Sequence, residues 1–392
     1  MENNEQKIEE LLTRGVEDLI VKEDLEKKMK SGEKLRVKYG IDPTGPRIHI
    51  GRASTMRKLK KFQDLGHQIV LIIGDFTGQV GDASDKDSER PMLSQDEVKE
   101  NMRDYLDQIS RIFDVSKVEV HYNSEWLGKL DFNDICQLAD NFSVAEMIDR
   151  ESFSKRFKEG KRISLREFMY PLMQGYDSVA IKADIEIGGT DQLFNVLAGR
   201  TLQKANNQEP QNIMTFGLLE GTDGRKMSTS WGNVILISDE PNEMFGKIMS
   251  IRDELLEKYF EICTDVPMDE VRQLLSDPRG AKIRLASEVV RIYHGEQEDQ
   301  KAQEHFENVF SNKRTPEDVD EIEMKVGNKL TEVLDRNELA KSRSEARQKI
   351  NQGGVKIDDK AVTNVDYKIN KDIDGAILKV GKREFRKIQV IE

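Results

Sequence analysis

From Leu35 to Ile41 apolar and polar positions alternate: Leu35, Val37, Tyr39 and Ile41 fall on one side, Arg36, Lys38, Gly40 and Asp42 on the other. That period predicts a half-buried strand, which Pro43 and Gly45 stop. From Ile50 to about Leu65 the apolar residues recur at helical spacing, with Gly66 placed to end the helix. Ile69 to Ile73 is a short β-branched run, suited to a strand covered on both faces. Together these predict a βαβ unit, whose ligands sit at the carboxyl ends of the strands, so chemistry is expected between Asp42 and Gly51. His49 opens the helix, where free amides and the helix dipole favour phosphate and an imidazole adds a donor.

Residues up to about Lys34 read as a charged helical extension. Beyond the βαβ unit, Ser94 to Glu97 and Ser164 to Glu167 are capping-box patterns that open helices. Val118 to Tyr122, Ala183 to Ile187 and Ile213 to Leu219 read as further strands, and Gln192 to Lys204 as a helix. In the helix after Ser164, Tyr170, Gln174 and Asp177 recur at i, i+4 and i+7, a polar row on one face of an otherwise apolar element. An insertion of roughly 123–162 carries Ile135, Leu138, Phe142, Ala145 and Ile148 at helical spacing. Past Pro241 the chain is helical and charged to about Asn328, with no alternating strands. From Lys329 a helix containing KSRSEARQKI leads to NQGG and the short strands VKID and AILKVG. The predicted class is α/β: an extension at 1–34, a Rossmann-like parallel-sheet domain at 35–236, an α-helical domain at 237–328, and a small α+β domain at 329–392.

A length of 392 residues, 37% hydrophobic and 34% charged, fits two or three globular domains. No apolar run approaches membrane-spanning length, and MENNEQKIEE lacks the regions of a signal peptide. Cys136 and Cys263 are the only cysteines, which argues against a disulfide framework or a Cys-rich metal site. A cytoplasmic protein is expected. The net charge of −12 is uneven. From Lys341 to Glu392 there are 13 basic and 8 acidic residues, against 48 and 65 in the remainder. An acidic body with a basic tail suits local binding of nucleic acid, or else a solvated surface.

His49-Ile50-Gly51 follows the first predicted strand of the sheet, Gly188-Gly189-Thr190-Asp191-Gln192 a late one, and Lys226-Met227-Ser228-Thr229-Ser230 lies in a loop after the last. With the row Tyr170, Gln174 and Asp177, they resemble a class I aminoacyl-tRNA synthetase of the bacterial tyrosyl type, over the whole chain. The resemblance implies activation of tyrosine by ATP, which is a substrate with Mg2+, and transfer of tyrosine to the 3′ end of tRNA(Tyr). It implies no protein-held metal, a homodimer joined through the insertion, and an S4-like RNA-binding tail. It puts Asp177 on the substrate phenol with Gln174 in support and Lys38 nearby, and Tyr170, Asp82 and Gln174 around the ammonium. Asp191 and Gln192 face the ribose and the tyrosine carbonyl, with Asp42 and Gly51 close by. Thr44 and His49 take the γ-phosphate side, and Lys86, Arg90 and Lys226 the pyrophosphate, with Arg52 and Ser228 on ATP. In the tail, Arg343, Arg347, Lys382, Arg383 and Arg386 would contact RNA phosphates. Arg52 stands where the family often has histidine, and Thr229 where it has lysine, a lost cation that Arg225 is placed to replace. Those two departures keep open a second reading, a synthetase-derived RNA-binding protein that makes no adenylate. A tryptophanyl enzyme gives no reason for the polar row, because an indole carries no phenol.

Overall fold

The computed structural model describes residues 2–82, 92–311, 319–337, 339–358, 360–381 and 384–391. They form two compact units, one reaching to Gln300 and one from Lys301 onward.

The first unit is built on a six-stranded sheet of β1 (Val16–Ile20), β2 (Arg36–Ile41), β3 (Gln68–Ile73), β4 (Glu119–Tyr122), β5 (Ile185–Gly189) and β6 (Asn212–Phe216). The order is β1-β6-β5-β2-β3-β4, parallel throughout except for β1, which runs antiparallel to β6. The chain moves outward from β2 in one direction through β3 and β4, then restarts beside β2 with β5. The crevice of such a sheet opens where the order reverses, at the carboxyl ends of β2 and β5. The Ile50–Asp64 helix joins β2 to β3 and ends at Leu65, with Gly66 at φ +91°. Both capping boxes are formed, on the Gln95–Met102 and Leu165–Ile181 helices. Gly175 lets the second of these approach the Leu193–Ala205 helix; a Cβ there would stand 2.9 Å from the Ala198 carbonyl carbon.

Three sequence expectations change. The extension at 1–34 is not all helix: Gly15 at φ +66° lies just beyond the Glu2–Thr13 helix, and β1 then adds an edge strand. β2 is not half-buried, because Lys38 on its polar side is as buried as its apolar neighbours. The helices from Pro241 to His294 lie in the same compact unit as the sheet. There the Leu256–Cys263 helix packs on the Ile50–Asp64 helix, and its Tyr259, Phe260 and Cys263 are fully buried.

The second unit holds a mixed sheet ordered β7-β11-β10-β8-β9. Its strands are β7 (Glu321–Lys325), β8 (Val355–Ile357), β9 (Lys360–Ala361), β10 (Ile377–Val380) and β11 (Glu384–Ile391). β7 lies upstream of residue 329, in a stretch whose charges read as helix, and pairs parallel with β11. The helix Arg343–Asn351 contributes Ala346 and Ile350 to this unit's core.

In the insertion, Phe132, Val144 and Phe157 are exposed, as is Leu165 just beyond it. None of Ile135, Leu138, Phe142, Ala145 and Ile148 is buried.

Candidate active site

At the carboxyl ends of β2 and β5 lies a cleft of about 450 Å³, the size of a small-molecule site. Asp42 follows β2, and the Tyr170 hydroxyl donates to its Oδ2 at 2.8 Å while the Thr77 hydroxyl donates to Oδ1 at 2.7 Å. Burial nevertheless pushes its carboxyl up to about 6. Gly74 is the residue this corner requires, since a Cβ would land on the oxygens of Asp42 and Thr77.

Asp177 stands two helical turns from Tyr170, lines the cleft and is 3% exposed. The Trp126 indole donates to its Oδ1 at 2.7 Å and the Asn123 amide to its Oδ2 at 3.3 Å. A carboxylate has about four acceptor positions, so those two bonds leave capacity for another donor. Burial raises its carboxyl to about 7, against the opposing effects of Lys38, Trp126 and Asn123. Also in the cleft, the Gln192 amide donates to Asp82 at 2.7 Å, and Asn195 donates to the Gln192 side-chain carbonyl at 3.0 Å.

His49, which also lines the cleft, caps the Ile50–Asp64 helix in extended conformation. Its Nδ1 is buried with no hydrogen-bond partner among the described residues. Burial, then Arg52 and Lys226, lower its pKa to about 3, so the imidazole is neutral. Gly51 leaves room for that ring, 3.1 Å from where a Cβ would sit. Arg52 donates to the Thr44 hydroxyl at 3.3 Å and the Tyr105 hydroxyl at 3.4 Å. From the loop after β6, Lys226 reaches Asp191 at 3.1 Å. The Asn233 side chain staples this loop, accepting from the Ser228 amide at 2.9 Å and donating to Asp223 at 2.7 Å. A neutral imidazole, a guanidinium, a hydroxyl and an ammonium thus converge beside a helix N-terminus, an arrangement suited to phosphate.

The cleft unites Asp42, Thr44, His49, Gly51, Arg52, Asp82, Tyr170, Gln174, Asp177, Asp191, Gln192, Lys226 and Ser228. Lys38 is a correction: it is not among the cleft residues and is fully buried, because Glu186 and two other acceptors take its ammonium. Arg225 is another. It stacks over Trp231 at 4.8 Å and pairs with Asp223, and it is not among the cleft residues. Lys86 and Arg90, and in the tail Lys382 and Arg383, lie outside the described residues. Arg343 pairs with Glu332 at 3.0 Å, Arg386 pairs with Glu384 at 3.3 Å, and Arg347 is exposed. Sequence reasoning missed Thr77, Asn123, Trp126 and Glu186. Asn123 directly follows a predicted strand, where the carboxyl-end rule points, and Glu186 is a charge inside an apolar strand.

A family model described as class I tRNA synthetases (W and Y) matches residues 29–311, and one described as a tyrosine–tRNA ligase SYY-like C-terminal domain matches 312–388. The tyrosine–tRNA ligase of Thermotoga maritima is 46% identical over 96% of both chains. That of Carboxydothermus hydrogenoformans is also 46% identical, over 97% of both. Among solved structures, the tyrosyl-tRNA synthetase of Archaeoglobus fulgidus complexed with L-tyrosine aligns with a TM-score of 0.61 at 21% identity. It covers 76% of this chain and 99% of its own, a likeness of fold.

Proposed function

The chain belongs to the class I tRNA synthetases of the tryptophan and tyrosine family, and from that premise we propose how its cleft works. The activity is that of a tyrosine–tRNA ligase. In the first step a carboxylate oxygen of tyrosine attacks the α-phosphorus of ATP, and the bond to pyrophosphate breaks. In the second, a hydroxyl at the 3′ end of tRNA(Tyr) attacks the adenylate carbonyl and AMP leaves. No protein nucleophile takes part, so the site contributes alignment and donors that tighten on the transition state.

One observation carries the tyrosine assignment: Asp177, buried in the wall of the cleft, with accepting capacity to spare. The phenol donates there. Asp82, Tyr170 and Gln174 surround the ammonium, and Asp191 and Gln192 lie toward the ribose and carbonyl. ATP enters as its magnesium complex, with Thr44, His49, Arg52 and Lys226 on its phosphates and Ser228 beside them. Lys86 and Arg90 join them on the pyrophosphate. The test is amino-acid-dependent exchange of pyrophosphate into ATP. Exchange with tyrosine, and little with tryptophan or phenylalanine, supports the reading; none with any of the three leaves RNA binding as the role.

The Asp177 carboxyl at about 7 gives a sign to the pH dependence. In the free protein it is protonated below that pH and accepts the phenol poorly, so kcat/KM for tyrosine should rise through about pH 7 and level off. The linked stability runs the other way. The folded state keeps a proton that the unfolded chain releases near pH 4, so this group's contribution falls as pH rises to about 7. Asp177→Asn should flatten that slope in urea titrations across the same window.

The second unit acts in our reading as an S4-like RNA-binding domain, with Arg343, Arg347, Lys382, Arg383 and Arg386 toward phosphates. The helices from Pro241 to His294 lie on the anticodon side of the tRNA. The exposed Phe132, Val144, Phe157 and Leu165, four large apolar side chains within one stretch of the sequence, support a homodimer face. We place the enzyme in the cytoplasm, where its tRNA is used. Because β7 belongs to the tail sheet, a truncation should fall after residue 311, ahead of that strand. The truncated protein should keep tyrosine-dependent pyrophosphate exchange near the parent's value. Its tRNA charging should fall by about tenfold or more and lose much of its salt dependence. Equal charging by both forms would return the basic surface to solvent.

A further inference from the structure

A charged layer borders the cleft: Glu186 lines it, while Lys38 is not among the cleft residues. Lys38 on β2 is 0% exposed and Glu186 on β5 is 1% exposed, and their ion pair spans 2.9 Å. The remaining ammonium protons go to the Gln174 carbonyl at 2.8 Å and the Ser178 hydroxyl at 2.7 Å. An ammonium has three donors, so Lys38 has none left for a substrate phenol. Glu186 is equally occupied. It accepts from the Gln174 amide at 3.1 Å, Ser178 at 3.0 Å and Gln211 at 2.5 Å.

Such a layer is not explained by stability, because well-packed apolar residues usually serve a core as well as a buried ion pair does. Its attachments suggest another purpose. Lys38 binds two positions, Gln174 and Ser178, one turn apart on the helix that carries Tyr170, Gln174 and Asp177. The pair therefore fixes the rotation and height of that helix against β2 and β5. It also bears electrically on Asp177, which Lys38 favours as an anion and Glu186 opposes, while Trp126 and Asn123 donate to it from beyond β4.

We propose that Lys38 and Glu186 are positioning residues of the tyrosine site: together they hold Gln174 and Asp177 in register, and the Lys38 charge offsets that of Asp177. The proposal rests on Asp177 as the acceptor of the phenol. It assigns Lys38 a role through its neighbours rather than on the substrate.

The test uses the full-length protein, with pyrophosphate exchange followed against tyrosine, ATP and pH. In Lys38→Met/Glu186→Gln both charges are gone. Its KM for tyrosine should rise about tenfold. Its KM for ATP and its kcat at saturating tyrosine should stay within about threefold of the parent. Its acid limb in kcat/KM for tyrosine should move to higher pH, because Lys38, the larger of the two opposing charges on Asp177, is lost. In Glu186→Gln alone the cation is kept and the opposing anion removed, so the limb should move to lower pH by about one unit. A structural role gives no reason for that downward movement. An unchanged tyrosine KM in the double variant, or a limb in Glu186→Gln that stays put or moves up, overturns the proposal. Should the double variant fail to fold by circular dichroism, Glu186→Gln decides alone. Asp177→Asn separates the two levels. If it leaves the limb and tyrosine activation intact, the phenol reading itself fails; if it abolishes the limb while Glu186→Gln leaves it in place, only the positioning layer fails.

Discussion

Asp177→Ala is expected to lower kcat/KM for tyrosine by about a hundredfold or more while leaving the KM for ATP near the parent's. The phenol hydroxyl, desolvated in the cleft, loses its acceptor in the complex; the Trp126 donor has lost its own already in the free variant, which costs stability rather than rate, while Asn123 keeps the Thr77 hydroxyl. Buried polar groups stripped of partners cost about 1–3 kcal/mol each, more for charged ones. Phenylalanine, which presents no hydroxyl, should lose far less, so the preference for tyrosine should narrow. The fold should survive, because the pairing of Lys38 with Glu186 does not pass through Asp177. Exchange assays with the two amino acids, alongside a thermal melt, measure this. Tyrosine activation at parental efficiency would remove Asp177 from the phenol.

His49→Ala should act on rate. Its buried, unpartnered Nδ1 and neutral ring make it a poor ground-state ion partner and a well-placed donor to a phosphate whose charge grows in the transition state. Loss of one such preorganised donor costs about 10²–10³ in kcat. The KM values for tyrosine and ATP should move by no more than about threefold, the signature of an interaction made chiefly in the transition state. The pKa of about 3 adds a second expectation: the ratio of parent to variant should stay flat across neutral pH, since the ring does not titrate there. Equal losses in KM and kcat would make His49 a ground-state or structural residue.

The parts of this fold that were legible in the sequence are those where one period dominates. β2, the Ile50–Asp64 helix and β3 fall where alternation, helical spacing and an apolar run put them. The row Tyr170, Gln174 and Asp177 was visible because polar residues at helical spacing interrupt an apolar helix, and all three line the cleft. β1 was not visible. Its five residues make an edge strand whose partner, β6, lies some two hundred residues away, and its register carries a bulge after Val16. β7 alternates cleanly, with Ile322 and Met324 inward, but its charged outward residues blended into a helical stretch. Lys38 shows a different limit. Alternation placed it on a polar face, yet its partner, Glu186, comes from a strand far along the chain, and only tertiary structure brings the two charges together.

The topology of the tail has a bearing on the order in which the protein is made. β11 lies inside its sheet, between β7 and β10, and supplies the parallel partner of β7. Until residue 391 has left the ribosome, β7 and β10 face a gap and the core residue Ile388 is missing. The six-stranded sheet has all its strands by Phe216. Domains fold as units during synthesis, at about 5–20 residues per second. A nascent chain therefore has the strands around its adenylate-forming cleft well before the tail can close, and the tail closes in one late step that no shorter intermediate of synthesis can anticipate.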